Sequence, residues 1–196
     1  AAACGDNPVT IRTFDFAIDK HPPFLSVDAS ALELRGLRFA LRQPRLFKSQ
    51  LRAILHSAQE YPNIRILFPM VTGWWELKEA LNLMSAVAEE EQLKPKLQVG
   101  AMIETPSAIF ALPEIIKLVD FIGIGCNDLA QYTLAMERSS ATQTMSGVSL
   151  HPSLLQLLLL LQQPKMLHHQ LVFGRICRSR SVQRHHSVSG ILLKTA

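Results

Sequence analysis

Apolar and polar positions follow two rhythms along the first two-thirds of the chain. Short, dense apolar runs predict strands over residues 9–14, 63–70 (NIRILFPM), 98–104 (QVGAMIE) and 121–125. Between them the apolar residues recur at three- and four-residue spacing. Leu77, Ala80, Leu81, Leu83, Met84 and Val87 mark a helix over 74–91. Two basic amphipathic helices are predicted at 31–41 and 44–57, the second opened by Pro44, whose fixed φ suits a first helical turn. Further helices are expected from Pro106 to about residue 118, disturbed at Pro113, and over 129–136 and 152–162. Strands separated by helices predict an α/β protein with a parallel sheet, because parallel neighbours need long crossovers. The period alone leaves open whether that sheet is closed.

Polar residues gather at the predicted strand ends. Arg12 ends the first strand, Glu104 the third (MIETP), and Asn127 and Asp128 follow the fourth (GIGCNDLAQYTLAMER). In a (β/α) barrel such positions face one shared pocket. Glu104 and Asp128 would then be two carboxylates suited to Mg2+, which keeps waters and takes further oxygens from a phosphate-bearing ligand. Arginines beside them would orient a phosphoryl group. Taken one at a time, these residues have plainer readings. Arg12 reads as an exposed strand-end charge, Arg35 as one of several solvated charges on a helix with Arg38 and Arg42, and Glu104 as an acid favouring the next helix N-terminus. Asn127-Asp128 reads as a helix cap. Cys126 is expected as a small buried hydrophobe, and Trp74-Trp75 and the leucine run 154–161 as packing surfaces.

Composition narrows the class. With 196 residues and 48% hydrophobic content, the chain suits a globular domain with a real core. It is shorter than the roughly 250 residues of a complete (β/α)8 barrel. No apolar run approaches the roughly 20 residues of a membrane span, and no signal peptide is apparent. Three scattered cysteines, Cys4, Cys126 and Cys177, suggest neither a disulfide framework nor a zinc site, and fit a cytoplasmic protein. The net charge of +4 is unevenly placed. Residues 1–138 hold 14 basic and 16 acidic side chains, and residues 139–196 hold 6 basic and none acidic. From residue 164 the chain has no clear helix period, two His-His pairs and clustered arginines. Nucleic-acid binding by this tail is disfavoured by its single aromatic, Phe173. Metal binding is disfavoured because neighbouring histidines point apart in regular structure. An atypical C-terminus, unrelated to the domain before it or read out of frame, is the favoured reading. The expected division is therefore a domain over 1–163 and a basic tail over 164–196.

Ordered blocks then point to a family. RTFDFAIDK, LELRGLRFAL, QLRAIL, ILFPM, MIETP, IGCNDLAQYTLAMER and HPSLLQLL, spread over roughly residues 8–162, resemble successive segments of the phosphoenolpyruvate-utilising phosphotransferases. Within that family they resemble most the enzyme I group of the sugar phosphotransferase system. The resemblance implies a (β/α)8 TIM-type barrel, incomplete here. It implies that Arg12, Arg35, Asn127 and Arg138 bind phosphoenolpyruvate and that Glu104 and Asp128 hold Mg2+. The reaction implied is phosphoryl transfer from phosphoenolpyruvate to a histidine on another domain, feeding sugar uptake. The implied partners are that phosphohistidine domain, a histidine-containing phosphocarrier protein and a second copy of the chain.

The blocks also depart from the family. Its Gly-Gly is Ala17-Ile18, its Asn-Pro-x-x-Gly is Ala29–Glu33 here, and no phosphohistidine block precedes residue 8. The Gly-x-Cys-Gly-Glu block, whose cysteine would protonate the enolpyruvate carbon, is not intact. Cys177, in GRICRSR, stands near its expected place without the following Gly-Glu, and a free cysteine is the favoured reading of it. The alternative expectation is thus a non-catalytic remnant or a ligand- or partner-binding module.

Overall fold

A computed structural model describes residues 1–15, 35–136 and 151–161, with the backbone of 170–171. Its centre is a parallel sheet of β1 (Val9–Arg12), β2 (Ile64–Phe68), β3 (Gln98–Ile103), β4 (Phe121–Ile124) and the two-residue β5 (Gln170–Leu171), in that spatial order. Registers such as Arg12 with Leu67, Phe68 with Ala101 and Ile103 with Ile124 bring the C-terminal strand ends level. Each strand lies beside its predecessor, so the order never reverses as it does in a doubly wound sheet. Among the described residues the sheet has two ends, β1 and β5. The α/β expectation with helical crossovers holds. β5 falls within the segment expected as a tail, and the expected boundary itself lies outside the described residues.

The helices follow their sequence signals with instructive shifts. They are α1 (Gly36–Arg42), α2 (Pro44–Glu60), α3 (Trp74–Glu90), α4 (Pro106–Phe110), α5 (Leu112–Ile115), α6 (Cys126–Leu134) and α7 (Pro152–Leu161). On α2, Phe47, Leu51, Ile54, Leu55 and Ala58 are buried, one stripe at helical spacing. Phe47 joins α2 to the sheet through an edge-to-face contact with Phe68 at 6.3 Å, and Phe14 stacks edge-on against Phe39 at 5.9 Å. The helix expected from 106 to 118 is two helices broken at Ala111. Pro113 has no N–H to give the Ile109 carbonyl, so the chain restarts with Pro113 in a first turn. Helix α6 begins at Cys126, three residues before its expected start, with Gly125 at the cap position. Asn127 and Asp128, read as the cap, lie inside the first turn, which is why the helix was expected late.

Three packing expectations need correction. Cys126 is exposed at the head of α6, because the residues that turn toward the core there are Asp128, Leu129 and Ala130. Trp74 and Trp75 are exposed and stack on each other at 6.1 Å, while Leu77 and Ala80 fill the core. In the leucine run, Leu154 and Leu161 are buried but Leu155, Leu159 and Leu160 are exposed.

Gly36 and Met70 form a tight junction behind the strand ends. Gly36 adopts φ 50°, and a Cβ there would lie 2.5 Å from the Met70 Cβ. The Leu37 N–H donates to the Pro69 carbonyl at 3.2 Å and ties α1 to the turn after β2. Gly36→Ala would add a backbone penalty and a steric clash at once. We expect it to destabilise the fold by about 2–4 kcal/mol, read as a lowered denaturant midpoint at unchanged slope. A loss below about 0.5 kcal/mol would show that the junction relaxes.

Candidate functional site

The turns after β1 to β4 share one end of the sheet, and the acidic and basic side chains expected there converge. Glu104 follows β3 and is 1% exposed. Its Oε1 accepts the Met70 N–H at 2.7 Å, and its Oε2 packs against Gly125, where any Cβ would collide with it. Met70 presents that N–H from φ 54°, a left-handed conformation rare for a non-glycine residue and characteristic of sites held by their surroundings. Burial above all, with the charges of Asp128 and Asp15, pushes the Glu104 carboxyl up to about 7, against the pull of the Met70 N–H and Arg12. The helix-start role expected of Glu104 belongs to its neighbour: Thr105 occupies the cap position, and its Oγ1 accepts the Ala108 N–H at 3.2 Å.

Arg35 is not a solvated charge. It sits just before α1, 8% exposed, with its guanidinium between two carboxylates. Nε and Nη2 form a fork on Asp15 at 3.2 and 2.8 Å, and Nη1 donates to Asp128 Oδ1 at 2.9 Å and to the Tyr132 hydroxyl at 3.2 Å. The side chains of Asp15 and Asp128 are 3% and 6% exposed. Burial opposes the guanidinium charge, but Asp15 and Asp128 outweigh it and hold Arg35 well above its ordinary value. Asp128 and Tyr132 meet Arg35 together because they are four apart on α6 and share a face.

The remaining expected residues divide. Arg12 is exposed at the end of β1, and its charge reaches Glu104. Asn127 is exposed in the first turn of α6, so neither it nor Asp128 is the helix cap. Arg138 and Cys177 lie outside the described residues. Beside Arg35 opens a cavity of about 350 Å³ lined by Arg38, Thr72, Thr105, Ser107 and Tyr132 among others. Arg38 donates to buried Glu76 at 2.6 Å and to Thr72 Oγ1 at 2.8 Å. Asp15, Met70, Arg38, Thr72, Glu76 and Tyr132 were not singled out from sequence. Asp15 lay inside a matched block, and Tyr132 at four residues from Asp128 was a usable signal. The methionine backbone at φ 54° has no sequence signature.

The donor set fits a hard divalent cation in one respect. Glu104 is a buried carboxylate whose charge its surroundings oppose, and a cation would offset that opposition. The charge of Asp128 acts on Glu104, and its Oδ1 accepts from Arg35. No group of three His, Cys, Asp or Glu side chains suited to a metal occurs among the described residues, so any cation here would take its other ligands from water or ligand oxygens. Among the described residues, no helix is long and apolar enough to cross a membrane.

The chain is thus an α/β domain with a parallel sheet whose buried acids and arginine gather beyond the C-terminal strand ends. Comparison with known proteins gives the family. Residues 1–177 match the family described as PEP-utilising enzyme, PEP-binding domain, and the chain belongs to it. It is 38% identical over 170 residues to the Escherichia coli (strain K12) protein named "Phosphoenolpyruvate-dependent phosphotransferase system", covering 83% of this chain and 23% of that one. It is 41% identical over 154 residues to a Rhodobacter capsulatus "Multiphosphoryl transfer protein", covering 77% and 18%. Against a Cupriavidus necator "Phosphoenolpyruvate-protein phosphotransferase" it is 39% identical over 160 residues, covering 76% and 27%. The chain thus spans about a quarter or less of the length of these relatives.

Proposed function

We propose that this chain is the phosphoenolpyruvate-binding part of a phosphoenolpyruvate-protein phosphotransferase. The observation that carries the reading is Glu104: a buried carboxylate, opposed by Asp128 and Asp15 and bonded to Met70, which lines an arginine-bearing cavity, in a chain of this family. The five parallel strands in sequential order would be an arc of a (β/α)8 barrel. Glu104 and Asp128 would hold Mg2+, which when bound would neutralise phosphoryl and enolate oxygens. Arg12 and Arg35, with Asn127 and Arg138, would position the phosphate and carboxylate of phosphoenolpyruvate. The phosphoryl group would pass to a histidine of another domain, releasing pyruvate. That domain would supply a histidine-containing phosphocarrier protein and hence sugar uptake in the cytoplasm, with the chain paired to a second copy.

What these residues can do is position and neutralise, which is most of what phosphoryl transfer asks of a protein. Glu104 is fixed by the Met70 N–H, and Asp128 by Arg35. Titration calorimetry with phosphoenolpyruvate tests the reading: heat of binding is expected with Mg2+ and a much weaker signal with EDTA. No binding in 5–10 mM Mg2+, about the upper end of useful concentrations, sinks it.

A second reading, a non-catalytic ligand- or partner-binding module, draws on one specific observation. Arg35 is so fully engaged by Asp15 and Asp128 that the site is largely neutralised by its own residues. It predicts binding without pyruvate release when a histidine domain is supplied.

A further inference from the structure

We propose that Arg38 is a ligand-contacting arginine of this cavity, taking the anionic end of the bound molecule. Arginine has five N–H donors in a rigid fork. Arg35 has given four of them to Asp15, Asp128 and Tyr132, which leaves one Nη2 N–H without an acceptor among the described residues. Arg38 lies one turn further along the chain, in α1, and lines the same cavity. Its Nε donates to Glu76 at 2.6 Å and one Nη2 N–H to Thr72 at 2.8 Å. Both Nη1 N–H groups and the second Nη2 N–H have no acceptor among the described residues. The side chain is 45% exposed. One edge of the guanidinium is therefore fixed, and the other meets no acceptor among the described residues.

The fixing is built rather than incidental. Glu76 is buried in the first turn of α3, and its Oε2 accepts from both the Thr72 N–H at 3.2 Å and the Thr72 hydroxyl at 2.8 Å, while Oε1 takes Arg38. Glu76 thus orders the turn after β2 and the arginine together. An oriented guanidinium with unspent donors suits the planar carboxylate or the phosphoryl oxygens of a small dianion. Ser107 adds a hydroxyl to the cavity lining, 3.1 Å from that of Thr105.

The choice of phosphoenolpyruvate as the dianion rests on the function proposed above, and the test separates the two. With Mg2+ present, calorimetry should show Arg38→Gln weakening phosphoenolpyruvate binding by about 10- to 100-fold, and Arg38→Lys by about tenfold, since lysine keeps the charge but loses the fork. Arg42→Gln removes the same charge from the same helix and should stay within about twofold of wild type. Thermal melts report whether each variant folds. In the wild-type protein, the Arg38 Nε–H resonance should shift on titration with phosphoenolpyruvate or inorganic phosphate, a readout needing no variant. A phosphate-induced shift without phosphoenolpyruvate binding would keep Arg38 and overturn the phosphoenolpyruvate reading. Folded Arg38→Gln and Arg38→Lys proteins that bind within twofold of wild type, or no shift of Arg38 with either anion, would overturn the assignment.

Discussion

Glu104→Gln should make the ligand-free protein more stable at pH 8 while removing its affinity for Mg2+. The two effects share one cause. Glu104 is buried, and its carboxyl is pushed up to about 7 from an ordinary 4.5. A group whose folded value is raised contributes its stability fully below the unfolded value, and loses it as pH rises through the folded one. The wild-type protein therefore loses stability from Glu104 between about pH 4.5 and 7, amounting to about 3 kcal/mol at most. Glutamine keeps an oxygen for the Met70 N–H, which Glu104 accepts at 2.7 Å, and carries no charge to bury. The gain should be about 1–3 kcal/mol at pH 8 and vanish near pH 5. Mg2+ needs the ionised carboxylate, so wild-type affinity should rise with pH through 7 and be weakened more than about 100-fold by the substitution. Chemical denaturation at the two pH values, with and without Mg2+, reads both effects. A variant that is less stable at pH 8 would mean that Glu104 is held chiefly as a structural acceptor.

Much of the scaffold was legible because its signals are local. Apolar runs gave β1 to β4 to within two residues, and Pro44 and Pro106 marked helix starts. The two-residue strand at Gln170–Leu171 was missed because two residues carry no period, and their pairing with β4 is entirely non-local. The site divides in the same way. Glu104 and Asp128 were found because strand ends in a parallel sheet share one side. The clasp of Arg35 by Asp15 and Asp128 joins residues 20 and 93 positions away, and no spacing rule reaches that far. Sequence spacing put Arg35 on a helix with Arg38 and suggested equal, solvated charges. The fold separates them: Arg35 gives four of its five N–H donors to protein groups, whereas Arg38 is held by one edge.

That contrast predicts a large stability loss. Arg35→Ala should destabilise the fold by about 3–5 kcal/mol, because it leaves Asp15 and Asp128 buried without a cation. The loss is a desolvation effect rather than the worth of a surface ion pair, which would be about 1 kcal/mol or less. Arg35 stays charged at any accessible pH, since its guanidinium is held above the ordinary value, so the loss should not come from its own titration. Arg35→Lys keeps the charge but cannot form the fork on Asp15 while also reaching Asp128 and Tyr132, so it should recover only part of the loss. The decisive comparison adds Asp15→Asn and Asp128→Asn to Arg35→Met. Removing all three charges should restore most of the stability, as replacing a whole buried ion network often does. If the triple variant is as unstable as Arg35→Ala, the Arg35 side chain acts mainly by filling space before α1. If it recovers, the clasp is an electrostatic constraint whose role is to bring β1, α1 and α6 to a common point beside Glu104. The site would then be assembled by its own ion pairs before any ligand arrives.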